Sequence, residues 1–215
     1  MLRPPITVSI AFVQGMVSGL RMQGRSSDVF LADAGIAPEL LTQAGARITA
    51  DQYSALFMLL IERLDDECIA LLSRPLKRGS FALMVRSALS APILDVALRR
   101  VARTFRLLQD DVVVELVRDG NEACLSLRLI DPSRERAVFL HELLLRVFWR
   151  VAAWLAGGAL PAVRFDFAFD APAHADSYGK VFPAPLRFAC RSTAFWFDAA
   201  RLKDPVRRDE AALRS

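Results

Sequence analysis

Histidine, cysteine and lysine are scarce in this chain of 215 residues, and each scarcity removes a class of function. There are two histidines, His141 and His174. Neither has neighbours at metal-ligand spacing, so no metal site is expected. Three cysteines, Cys68, Cys124 and Cys190, are odd in number and far apart. They fit neither a disulfide framework nor a zinc pattern and are expected as free thiols. Only 3 of the 28 basic residues are lysine, and the net charge is +4. The two basic groups, Arg99-Arg100-Arg103-Arg106 and Arg207-Arg208, are expected as solvated helix faces, not as a nucleic-acid surface. No glycine-rich loop follows a strand, and no nucleophile elbow is present. The paired acids Asp65-Asp66-Glu67 and Asp110-Asp111 fall at element boundaries, where solvation accounts for them. No enzyme activity and no cofactor are expected. The longest apolar stretch, residues 138–160, is broken by His141, Glu142, Arg146 and Arg150, so it reads as a buried helix, not a membrane span. Pro4-Pro5, Gln14 and the lack of a small-residue cleavage site argue against a signal peptide. A cytoplasmic protein is expected.

What the chain does have is apolar bulk. Hydrophobic residues make up 53%, with 14 phenylalanines and 3 tryptophans. Helical spacing of Val8, Phe12, Val13, Met16, Val17 and Leu20 predicts a helix over residues 7–23. Gly15 and Gly19 lie inside it and need a close-packed neighbour to offset their cost. Ser26-Ser27-Asp28 starts a short helix that stops near Gly35, and Pro38 starts another that stops near Gly45. Thr49 caps a helix over residues 51–67. Residues 81–89 form a short helix. A longer one runs to Leu108, with Ser90 as its cap, Pro92 in its first turn, and a stripe of Leu94, Leu98, Val101, Phe105 and Leu108.

The period then changes from 3.6 to 2. Residues 112–117 and 123–129 alternate as two strands joined by a turn at Asp119-Gly120. A long, nearly all-round apolar helix follows over residues 133–156 and ends at Gly157-Gly158. Val163, Phe165, Phe167 and Phe169 line one strand face. A short helix over 176–181 and strands at 186–188 and 194–198 complete the pattern. Helices precede a β-β-α-β-α-β-β series, which predicts an α+β fold: a helical N-terminal portion packed on an antiparallel sheet with one long buried helix. The expected organisation is one domain over residues 1–206, helical over residues 1–108 and α+β over residues 109–206. Residues 207–215 read as the start of a linker.

Aromatic residues on the long helix and on two strands suggest an apolar pocket, the usual setting for a small-molecule site. Phe148 and Trp149 are candidates for its wall. Arg86, His141 and Arg146 are candidate polar contacts, because basic groups on apolar helices need partners and arginine matches a carboxylate. A ligand carboxylate and an internal acid are both open as that partner.

Several segments resemble a known family. Leu31-Ala32-Asp33-Ala34-Gly35-Ile36 is similar to its opening L-x-x-A-G-l. Residues 90–105 are similar to the helix before its hairpin, with Ile93-Leu94 in place of Thr-Leu, Asp95 in place of Glu, and Phe105 in place of Tyr. Pro161-Ala162-Val163-Arg164-Phe165 looks like the strand after its long helix. Tyr178, Phe182, Pro185 and Phe188 match its Y-x-x-x-F-x-x-P-v-x-F box. Phe195-Trp196-Phe197 with Leu202-Lys203-Asp204-Pro205-Val206 looks like its ending. In this order, over roughly residues 25–210, the motifs resemble the arabinose-binding-type N-terminal domain of AraC/XylS-family transcription regulators. The resemblance implies a bacterial effector-binding and dimerising domain that responds to a small molecule of unspecified identity. It also implies a homodimer, and contact with DNA only through a helix-turn-helix domain that would begin where this chain stops, as in an isolated or truncated sensor. The competing expectation is a dimerisation or protein-interaction module without a small-molecule ligand.

Overall fold

A computed structural model describes residues 6–131 and 138–214. Met1–Pro5, read above against a signal peptide, residues 133–137 of the expected long helix, and the last residue of the expected linker lie outside them. The chain forms two compact units, one up to Arg78 and one from Gly79. Among the described residues no helix is long and apolar enough to cross a membrane.

In the first unit, strand β1 (Thr7–Ser9) pairs antiparallel with β2 (Arg47–Thr49). Helices α1 (Ile10–Met16), α2 (Ser18–Met22), α3 (Asp28–Asp33) and α4 (Ala50–Leu64) and a 3-10 helix (Pro38–Thr42) complete it. The single helix expected over residues 7–23 is therefore corrected. Thr7–Ser9 extend because Arg47–Thr49 offer a ladder partner, Ser9 then caps α1, and Val17 divides α1 from α2. Gly19 is required by a loop backbone, not by another helix. A Cβ there would lie 2.6 Å from the Ile69 carbonyl oxygen. Thr49 and Gln52 form the reciprocal capping box that starts α4.

Solvation does not account for Asp66. It is 2% exposed, and its carboxylate accepts the backbone N–H of Cys68, Ala70 and Leu76 at 2.9, 2.7 and 2.8 Å. These bonds hold a buried irregular segment in which Ile69 and Ala70 have φ of 47° and 65°. A β-branched residue is costly in that region, and the three bonds offset the strain.

The second unit is built on a five-stranded sheet. Its strands are β3 (Val112–Asp119), β4 (Glu122–Leu129), β5 (Arg164–Asp166), β6 (Leu186–Arg187) and β7 (Thr193–Asp198). Their order is β3-β4-β7-β5-β6. All neighbours are antiparallel except β5 and β6, so the sheet is mixed at one edge. The hairpin turn is Gly120-Asn121, one residue later than expected, since Asp119 pairs with Glu122 and Gly120 takes the positive φ. Helices α5 (Ser80–Leu89), α6 (Leu94–Leu108), α7 (Val138–Leu155) and α8 (Glu210–Arg214) belong to this unit. The two helices before the hairpin thus lie in the same unit as the sheet. Ser90 ends α5 instead of capping α6; its hydroxyl accepts from Arg100. Leu94 of α6 instead gives its N–H to the Asp204 carbonyl.

Helix α7 buries Leu140, Leu144, Leu145, Phe148, Ala152 and Leu155 and packs on β4 and β7. Gly157 and Gly158, at φ 96° and 115°, turn the chain away at its end. Arg207 and Arg208 are not on a helix face. The Arg207 N–H meets the Leu155 carbonyl, and the Arg208 guanidinium bonds the Trp154 carbonyl over the Trp154 ring. They satisfy open carbonyls at the negative end of α7, where a cation is favoured.

Candidate functional site

Sequence neighbours on a helix point about 100° apart, and α7 uses this to send His141 and Glu142 to different partners. The Glu142 carboxyl accepts the Tyr178 hydroxyl in a short hydrogen bond and lies 3.0 Å from His174 Nε2. His141 Nδ1 lies 2.8 Å from the Thr193 hydroxyl, at the first residue of β7. That hydroxyl also accepts the Ala168 N–H at 3.1 Å. Tyr178 comes from a 3-10 helix (Ala175–Lys180), and His174 immediately precedes it. The two histidines thus belong to two hydrogen-bonded sets, His141–Thr193 and Glu142–Tyr178–His174, which leave α7 at adjacent residues and are bridged by the Phe169 and Phe167 rings.

Apolar rings frame the cluster. Phe167 contacts Phe169, Tyr178, Phe182 and Phe188 at centroid separations of 5.2–5.3 Å. The His141 ring lies 5.5 Å from Phe169. His141 and Glu142 are 3% and 5% exposed. His174, Phe169 and Phe188 are only partly buried, so the cluster reaches the surface there.

Burial sets the electrostatics. It lowers the His141 imidazole to a pKa of about 4, because the charged form is taken out of water with no compensating partner. The Tyr178 phenol is pushed up by burial first, then by the negative charge of Glu142 and the bond to it. His141 Nε2 is buried and makes no hydrogen bond among the described residues. The basic side chain that meets Glu142 among the described residues is His174, not a lysine or an arginine.

Of the residues expected from sequence, only His141 belongs to this cluster. Phe148 is fully buried and packs edge-on against Phe105 at 5.0 Å, in the core between α6 and α7. Trp149 is partly buried. It donates to the Leu160 carbonyl and meets Phe165 edge-on. Arg146 and Arg150 are exposed, so their helix does not bury them as its apolar composition suggested. Arg86 is on the surface, 2.9 Å from Glu210. Glu142, His174, Tyr178 and Thr193 were not singled out by sequence. The available signal was that His174 and Tyr178 flank the start of the family-like aromatic box, in a chain with only two histidines. Among the described residues, no group of three could hold a metal ion. Away from the cluster, an open groove of about 530 Å³ runs between α6 and edge strand β3, lined by Arg99, Arg103, Arg106, Leu107, Glu115 and Val117.

The family described as the arabinose-binding domain of AraC transcription regulator, N-terminal, matches residues 24–206. The chain is 26% identical over 184 residues to the ornithine utilization regulator of Pseudomonas aeruginosa, covering 84% of this chain and 54% of that protein. The crystal structure of the transcriptional regulator CdpR from Pseudomonas aeruginosa shares the fold. Its TM-score is 0.50 at 18% identity, over 94% of this chain and 59% of that one. The chain thus spans little more than half the length of either regulator. A match over most of its residues carries the assignment: this chain belongs to the arabinose-binding domain family of AraC-type transcription regulators.

Proposed function

We propose that this chain is the effector-sensing domain of a bacterial, cytoplasmic AraC-type regulator and binds a small organic molecule at the His141–Glu142 cluster. The observation that carries this reading is a buried acid whose basic neighbour is a partly exposed histidine, next in sequence to a histidine with a buried imidazole nitrogen that makes no hydrogen bond. Such groups are costly in a finished core and useful in a site that a ligand completes. The regulator of ornithine utilization among its relatives makes amino acids and amines the first effector class to test. The effector changes the packing of α7, whose far end holds Arg207 and Arg208, and so biases a following DNA-binding domain. DNA contact belongs to that domain. Such control requires unequal affinity for two states of the protein.

A stability screen tests the reading. Purified protein is heated with amino acids, amines, sugars and fatty acids. A ligand at 100 times its Kd adds about 2.7 kcal/mol, or roughly 5–10 °C in a protein of this size. The shift is expected to disappear in Glu142→Gln. Failure of every class, or a shift indifferent to Glu142→Gln, rejects the site. The α6–β3 groove favours a second reading, a homodimer formed along the unpaired edge of β3, with or without an effector. Native mass spectrometry showing a monomer at micromolar concentration rejects it.

A further inference from the structure

The proton on His141 can be located from its surroundings. Thr193 is fully buried, and its hydroxyl accepts the Ala168 N–H and faces His141 Nδ1. If the imidazole proton were on Nδ1, it would donate to the Thr193 oxygen. The Thr193 O–H would then have no acceptor among the described residues, and Nε2 would be a second unpaired group. If the proton is on Nε2, the Thr193 O–H donates to Nδ1, the Ala168 N–H is still accepted, and a single group is left open. Each buried orphan costs free energy, so the second arrangement is favoured. That open group is the Nε2–H, a donor.

We infer that His141 Nε2–H is the specificity contact of this site and takes a carbonyl-type oxygen of the effector, from a carboxylate or from an amide or ketone. This rests on the sensing role proposed above and adds the chemistry that the effector must carry. The Thr193 hydroxyl is already committed, Glu142 Oε1 takes both Tyr178 and His174, and the imidazole lies against the Phe169 ring. A carbonyl oxygen is satisfied by the one donor. The burial that keeps this imidazole neutral also keeps Nε2 a donor without a charge.

The test uses the two-histidine composition of the chain. Nitrogen-15 histidine labelling of the whole chain gives two imidazoles, and His174→Gln assigns them. The expected result is the Nε2–H tautomer for His141. Its Nε2 resonance should move saturably with acetate or acetamide and stay unmoved by ethylamine, which lacks a carbonyl oxygen. The two sources separate by pH. Acetate raises the pH at which His141 titrates, because a negative charge at Nε2 stabilises the imidazolium. Acetamide leaves it in place. With an effector found by the stability screen, His141→Asn should weaken binding at least tenfold, whereas His141→Gln, which keeps an N–H near Nε2, should restore most of it. An Nδ1–H tautomer overturns the inference, as does a resonance indifferent to both carbonyl probes. An effector that binds His141→Asn as tightly as the wild type overturns it too, while leaving the sensing role standing.

Discussion

Acidification should destabilise the second unit through His141, and the effect can be worked from its environment. Burial holds its folded pKa at about 4, against an unfolded value near 6.5. Below pH 6.5 the unfolded chain binds a proton that the folded chain refuses, so lowering the pH favours unfolding. The stability contributed by the neutral imidazole is complete above pH 6.5 and is lost as pH falls towards 4. At about 1.36 kcal/mol per pH unit, the loss is about 2 kcal/mol at pH 5 and about 3 kcal/mol at pH 4. The assay is urea unfolding followed by tryptophan fluorescence. Trp149, Trp154 and Trp196 all lie in the unit from Gly79 onward, so the signal reports that unit alone. The comparison is His141→Gln, which cannot titrate. Carboxylates titrate in both proteins, so the difference between the two pH profiles isolates His141. It should open between pH 6.5 and 4 with the wild type losing more. Parallel profiles would refute the reasoning and mean that the imidazole is hydrated or paired in the folded state.

Other expectations follow from individual contacts. Gly19→Ala places a Cβ against the Ile69 and Ala70 backbone, which has no flexible end to move aside, and should cost about 1–3 kcal/mol. Faster hydrogen exchange in the first unit would show it. Asp66→Ala removes the acceptor of three buried N–H groups and should destabilise by about 3 kcal/mol or more, read by thermal unfolding. Cys124, 2% exposed and pushed up to about 12 by burial and then by Asp166, should not react with a thiol reagent at pH 8 until the protein unfolds. Arg86→Ala breaks a solvent-exposed pair with Glu210 and should change stability by less than about 1 kcal/mol in the same thermal assay.

Much of the fold was legible in the sequence because its signals are local. Alternation over residues 112–129 fixed the hairpin faces, and the apolar run ending at Gly157-Gly158 fixed the end of α7. Thr49 marked the start of α4 as its cap. Errors came where a local pattern had a distant competitor. Thr7–Ser9 fit a helix by spacing, yet Arg47–Thr49 drew them into a ladder. Ser90 looked like a cap, yet the chain around Asp204 supplies the partner at the start of α6. Asp66 looked solvated, since nothing in its sequence context reveals that three backbone donors fold around it.

The candidate site divides the same way. The order of residues was enough for the α+β pattern, the buried character of α7, the family resemblance, and His141 as a polar residue on an apolar helix. What His141 and its neighbour meet depends on the tertiary fold. Glu142 is joined by residues 32 and 36 positions later, and His141 by one 52 positions later. Periodicity records which face of a helix is buried, because that depends on the helix alone. It carries no record of which side chain arrives on that face. Arg146 shows the converse, an apolar helix whose basic residue simply turns to solvent. The two histidines looked unrelated in the sequence; the fold brings them to adjacent positions of α7, His174 by bonding Glu142 and His141 by its own place on the helix, with Thr193 as its partner.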